Sequence, residues 1–158
     1  MQRLVLILSL FVMSGTVQAS ASDAFSSLAG NWSGGGTVHF SDNSNERLRC
    51  RASYDVLQGG NRMQLSIRCA SPSYNFDLLG SASDNNGQIT GTWSEASLNV
   101  SGTLAGVAQG NRIEVLARSQ AFNASLGLVT RNQQQSVSIR AQDPSSRLQG
   151  ASIALTRR

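Results

Sequence analysis

Few residues in this chain are equipped for chemistry. There is one histidine, His39, and there are two cysteines, Cys50 and Cys69, with 9 acidic residues and 13 basic ones. A Ser-His-Asp site would need His39 beside an activated serine, and no G-x-S-x-G elbow presents one. In Val38-His39-Phe40, His39 alternates out of phase with its apolar neighbours, so it is expected on the polar side of a strand. Asp77 and Glu95 are the carboxylates that lie near aromatics, in Tyr74-Asn75-Phe76-Asp77 and Trp93-Ser94-Glu95. As a pair they resemble the two carboxyl groups of a glycosidase, but strand parity sends them to opposite faces. One histidine and two cysteines do not supply the three or four N/S ligands of a zinc site. Asp42, Asp84 and Asp143 fall in turn-like stretches without calcium-loop spacing. The expectation is a protein without catalysis, cofactor or metal, an unassigned hydrolase being the weakest alternative.

The elements that position these residues are strands. Period-two alternation runs along most of the chain, broken by Gly and Asn turns. In the segment from Glu46 to Ala70, Leu48, Cys50, Ala52, Tyr54 and Val56 share one face, and Met63, Leu65, Ile67 and Cys69 share another. A two-residue turn at Gly59-Gly60 makes opposed residue numbers sum to 119. Val56 then faces Met63, Tyr54 faces Leu65, and Cys50 falls opposite Cys69, at a separation that allows a disulfide. One turn assignment thus aligns an apolar face and pairs both cysteines.

Further hairpins follow. Tyr74 to Ala82 pairs with Gln88 to Glu95, and Leu98 to Val107 pairs with Arg112 to Arg118. Strands are also expected at Phe122 to Val129, Ser136 to Ala141 and Gly150 to Leu155, after an opening strand with Trp32, Val38 and Phe40. The fold class is all-β, an antiparallel meander of about 8–10 strands closed as a barrel or folded into a two-layer sandwich. Glycines at inward positions (Gly34, Gly36, Gly80, Gly91, Gly102, Gly106) leave room for a cavity or for close packing.

Arginine dominates the surface chemistry. Arg47, Arg49 and Arg51 occupy the polar face of one strand, and Arg68 is expected directly opposite Arg51. Facing like charges are mildly destabilising, so either carboxylates such as Asp55 or Glu46 screen them or an anion does. Clustered guanidinium suits an anionic partner. Nucleic acid is disfavoured by the modest net charge of +4 and by the lack of aromatics on that face.

The N-terminus reads as an export signal. Arg3 precedes the apolar run Leu4 to Met13, too short to span a bilayer, and small residues follow, with cleavage expected after Ala19 or Ala21. Residues 1–21 are thus a signal peptide and residues 22–158 a single all-β domain. The expected location is the periplasm or the exterior of a bacterium, with no membrane span in the mature form. That is also where a disulfide persists.

Leu28-Ala29-Gly30-Asn31-Trp32 opens the first strand. A G-x-W in that place resembles the calycin barrels, lipocalins and avidins among them. The resemblance implies a late arginine packed over the tryptophan, here Arg157. A short N-terminal arm (Ser22 to Ser27), then Gly30 and Trp32, then the Cys50–Cys69 hairpin also resembles the periplasmic inhibitors of secreted metalloproteases, and implies that the arm enters a protease cleft. The chain as a whole resembles exported β-proteins of α-proteobacteria. The expected function is that of an envelope binding protein for a small apolar or anionic ligand, lined by Trp32, Tyr54, Phe76, Trp93 and Arg157. Alternatively it is an inhibitor or interaction module for an envelope polypeptide or anionic glycan, acting through the arm or through Arg47, Arg49, Arg51 and Arg68.

Overall fold

The computed structural model describes residues 23–158. The expected signal peptide, and Ser22 of the arm, lie outside the described residues. Ten antiparallel strands follow one another: β1 (Gly30–Phe40), β2 (Asn45–Leu57), β3 (Arg62–Ala70), β4 (Asn75–Asn85), β5 (Gln88–Glu95), β6 (Val100–Gln109), β7 (Arg112–Arg118), β8 (Asn123–Arg131), β9 (Gln134–Ala141) and β10 (Leu148–Arg157). Each pairs with its sequence neighbour, and β10 closes on β1, so the sheet is a closed meander barrel without a free edge. The barrel, not the sandwich, is the architecture.

Turn chemistry sets the register. The β2–β3 pairing keeps the expected sum, with Cys50 on Cys69, Arg51 on Arg68 and Tyr54 on Leu65. The connection itself differs from a bare two-residue turn. Gln58–Gly60 forms a short 3-10 turn with Gly59 and Gly60 both at positive φ, and the ladder resumes at Leu57 and Arg62. Register survives because the extra unpaired residues, Gln58 and Asn61, are added symmetrically. The β4–β5 hairpin closes across Asn86-Gly87, both at positive φ, as a tight hairpin turn requires.

Five of the six inward glycines, all but Gly80, do not leave room. A Cβ on Gly34 would stand 2.0 Å from the Ala154 carbonyl oxygen, on Gly91 2.1 Å from that of Ser81, and on Gly106 2.0 Å from that of Glu114. Neighbouring backbone occupies the space a side chain would need. Close approach of a neighbouring backbone is one of the things a glycine inside a strand commonly marks.

One end of the barrel is plugged. Residues 23–28 form a turn whose Phe25 and Leu28 are each 1% exposed. The turn is tied down by the Phe25 N–H to Gly60 and the Leu28 N–H to Phe25. Trp32, Tyr54, Met63, Leu155 and Ile153 pack beneath it into the main apolar cluster.

Candidate functional site: the lumen and the arginine wall

Alternation divides every strand into an inner and an outer face, and the two faces carry different chemistry. On the inner face at the plugged end, most polar groups are consumed by the structure, the buried Arg157 Nε being without a partner. The Trp32 indole Nε1–H donates to the Leu28 carbonyl at 2.7 Å. The Arg157 guanidinium lies over the Trp32 ring, 4.6 Å from its centroid, and donates through Nη2 to the Ser27 carbonyl at 2.6 Å. The Tyr54 hydroxyl donates to Gln135 Oε1 at 2.8 Å, and Gln135 in turn donates to Thr130 at 3.3 Å. Burial pushes the Tyr54 hydroxyl pKa well up, against the opposing pull of Gln135. This relay crosses the barrel from β2 to β9 and keeps buried polar atoms satisfied. Trp32, Tyr54 and Arg157 are therefore packed and bonded at the closed end.

Beyond them the inner face changes character. Trp93 is buried on β5, and its indole nitrogen, close above the bare backbone of Gly102, has no hydrogen-bond partner. Inner-face residues of this half, Leu78, Val100, Leu104 and Leu126, remain partly accessible. Neither they nor Trp93 belong to the main apolar cluster or its packed margin. Leu65, Ile67 and Phe76 belong to that margin, as do Ala108, Val115 and Leu128 on β6–β8. The filling is thus uneven: β1, β2 and β10 are lined with buried cluster residues from Trp32 and Leu155 to Phe40 and Leu48, whereas β4–β8 add Ala82, Ile89 and Ile113 to the cluster and leave Leu78, Val100, Leu104 and Leu126 partly accessible.

At the far end, the β5–β6 loop is organised by Glu95. Its carboxylate accepts backbone N–H groups from Asp77 at 2.9 Å, Ser97 at 3.1 Å and Leu98 at 2.6 Å. Burial pushes its pKa up, but these donors outweigh burial and hold it below the ordinary glutamate value. Asp77 sits on the outer face and pairs with Arg68 at 3.2 Å. The two carboxylates lie on opposite sides of the wall, and Glu95 acts as a loop clamp. Tyr74 packs edge-on to Phe40, with centroids 6.4 Å apart. Its hydroxyl pKa is raised by partial burial and then by the Glu95 charge. Asp42 and Asp143 cap their own turns by accepting from Ser44 and Ser145, which lowers both pKa values. His39 is exposed and meets Asn45 Oδ1 at 2.6 Å through Nδ1.

The outer face of β1–β4 carries the arginines. Arg51 stands between Ser33 on β1 and Arg68 on β3. Arg49 stands between the small residues Gly35 and Ala70. A shallow depression of about 590 Å³ opens here, lined by Arg49, Arg51, Arg68, Arg158, Asp77 and neutral polar residues. Arg47 lies further along β2, opposite Thr37. The expected screening by Asp55 or Glu46 is not what the structure provides. Asp55 opposes Gln64, and Glu46 is taken by Ser71 and Ser73. Asp77, one strand further on, is the carboxylate that reaches Arg68. The same register arithmetic applied to the next hairpin would have found it. The Cys50–Cys69 disulfide lies one residue behind the facing arginines, with Cα atoms 4.1 Å apart.

Comparison with known proteins yields a fold and no more. No family model matches the chain, and no curated protein matches it. The crystal structure of Rv2717c from M. tuberculosis is similar in shape, with a TM-score of 0.70 at 14% sequence identity, over 89% of this chain and 98% of that one. The chain therefore shares a barrel fold with that protein.

Proposed function

We propose that this is a non-catalytic binding protein of the bacterial envelope, calycin-like in construction, that holds a small and largely apolar ligand inside the barrel. The observation that carries the reading is the incomplete filling of the inner face. Leu78, Leu104 and Leu126 stay partly accessible on an inner wall whose other half is densely packed. Ligand sites in such barrels are apolar, enclosed and fitted with few polar groups, and the buried, unpartnered Trp93 indole supplies one donor for a ligand acceptor. The calycin reading is further supported by Trp32 under Arg157 at a plugged barrel end. The disulfide favours an oxidising compartment. An inhibitor working through the N-terminal arm would first have to extract Phe25, at a cost of about 2–3 kcal/mol, and so fits this geometry less well.

The test uses the neutral probe N-phenyl-naphthylamine and the Trp93 emission. Binding should quench Trp93 and enhance the probe. Leu104→Trp, which fills the accessible half, should abolish binding in a protein that still melts cooperatively. Native mass spectrometry of protein taken from its own compartment should show a ligand mass that is lost on denaturation. A bare polypeptide mass together with no probe binding sinks the reading.

A further inference from the structure

We propose that the outer wall of β1–β4 is a second site, separate from the lumen, for an oligoanionic saccharide. Arg49 and Arg51 are two residues apart on one strand, so their side chains leave the same face about 6.5–7 Å apart. Arg68 faces Arg51 across the ladder, about 5.5 Å away between Cα atoms if hydrogen-bonded pairing alternates from Cys50–Cys69. Arg158 joins them from the far side. Its backbone N–H donates to Asn31 at 2.9 Å and its guanidinium to the hydroxyl of Ser33, the residue opposite Arg51.

These cations are poorly neutralised. Within the depression the lining side-chain carboxylate is Asp77, which is engaged by Arg68. Arg49 and Arg51 have no ion pair or hydrogen bond through their side chains among the described residues. Facing two guanidinium groups across a ladder disfavours the fold, and the arrangement becomes favourable when an anion sits between them.

The form of the depression selects among anions. Its floor is kept low by Gly34 and Ala70, and it is broad and open, with cations distributed along it. A single phosphate would engage two arginines and leave the others idle. A chain bearing sulfate, phosphate or carboxylate groups at sugar-length intervals would meet them in turn. The neutral lining residues, Ser33, Asn75 and Ser97, suit sugar hydroxyls. The lining aromatic, Phe76, lies on an inner-face position, which leaves no stacking platform for bases.

The experiment is titration calorimetry of the purified protein with a sulfated oligosaccharide, a neutral oligosaccharide of equal length, inorganic phosphate and anionic phospholipid vesicles, over a salt series. The sulfated chain should bind and weaken steadily with salt, and the neutral chain should not bind. Arg51→Gln with Arg68→Gln should weaken binding about tenfold or more, since charge-assisted contacts are the strong ones. Arg62→Gln with Arg131→Gln, a change of equal charge elsewhere, should leave it unaltered. Arg51→Gln alone should raise the melting temperature while lowering affinity, which a merely structural arginine would not do. Leu104→Trp should retain saccharide binding, so this site and the lumen can fail separately. Equal losses from both double variants, tighter binding to vesicles or to phosphate alone, or no binding of the sulfated chain would each overturn the proposal.

Discussion

Replacing Gly34 by alanine tests the close approach of β10 to β1 directly, because two physical accounts give opposite signs. Where a β-strand glycine merely has space around it, alanine stabilises by about 0.4–1 kcal/mol through the unfolded chain. Here the new Cβ would lie 2.0 Å from the Ala154 carbonyl oxygen and 3.0 Å from Leu155 Cα. An ordinary carbon–oxygen contact is about 3.3 Å, so β1 and β10 must part by roughly 1.3 Å. β10 cannot retreat freely, because its other edge is laddered to β9. Parting the strands loses about two ladder hydrogen bonds near 1 kcal/mol each. It also loosens Leu155, which is 3% exposed, for a further ~1–2 kcal/mol. The expected destabilisation is about 3–4 kcal/mol, a large share of a typical total of ~5–15 kcal/mol. At roughly 3–4 °C per kcal/mol for a domain of this size, the melting temperature should fall by about 10–15 °C. Urea and thermal unfolding measure it. Gly127→Ala is the control, because its Cβ meets only the rotatable Ser138 hydroxyl at 2.9 Å and should change stability by less than about 1 kcal/mol. If Gly34→Ala proves as stable as the parent, backbone does not fill that space, and the inward glycines are there to make room.

Three other perturbations have worked magnitudes. Reducing Cys50–Cys69, which closes a loop with a sequence separation of 19, should cost about 3 kcal/mol, or roughly 10 °C in a melt with and without reductant. Phe25→Ala, which unplugs the closed end, should cost about 3–5 kcal/mol and be seen as a lowered urea midpoint. Glu95→Gln should cost about 1–3 kcal/mol at neutral pH by removing a charged acceptor from three N–H donors. Its pKa is lowered in the fold, so its contribution is complete above the unfolded value near ~4.3 and disappears as pH falls through the lower folded value. The parent and Glu95→Gln proteins should therefore converge in stability towards acid, which a pH series of urea midpoints would reveal; parallel curves would refute the clamp.

What was legible in the sequence was local. The β2–β3 register followed from one turn, because a two-glycine signal and two cysteines constrain the same hairpin, and errors in turn type cancel when residues are added symmetrically. The closure of β10 on β1, with Arg157 opposite Trp32, was not legible as a ladder, because a pairing more than a hundred residues long in sequence separation leaves no periodic trace. The inward glycines were visible as a pattern but not as a cause. Only the path of the neighbouring strand shows that a carbonyl occupies the space. Strand parity separates Glu95 from Asp77 in the sequence, as in the structure, but the role of Glu95 as a clamp depends on the course of the loop after it. The Asp77–Arg68 pair lies within reach of the same hairpin arithmetic, one strand beyond β2–β3. The unequal filling of the lumen had no sequence signal at all, since inner-face leucines look alike whether packed or not.

The two proposed sites follow from one division of the barrel. Where the inner face is dense, under β1 and β2, the outer face carries the arginines that face β3; where it is more open, towards β4–β8, no comparable cluster lies outside among the described residues. This is the mechanically sensible allocation. Like charges across a ladder push strands apart, and that push is best resisted where the strands are backed by a packed core and joined covalently. Arg51 and Arg68 stand one residue from Cys50 and Cys69, so the crosslink holds the repelling pair at fixed separation whether or not an anion is present. A site held open in this way avoids the ordering cost of gathering flexible cations on binding. The lumen is under the opposite demand. On the proposed reading a ligand enters between side chains that yield, and the accessible inner leucines lie where the packing is loosest. If both proposals hold, the disulfide serves the outer site's preorganisation as well as the fold's stability, and the barrel wall separates a rigid exterior site from a compliant interior one.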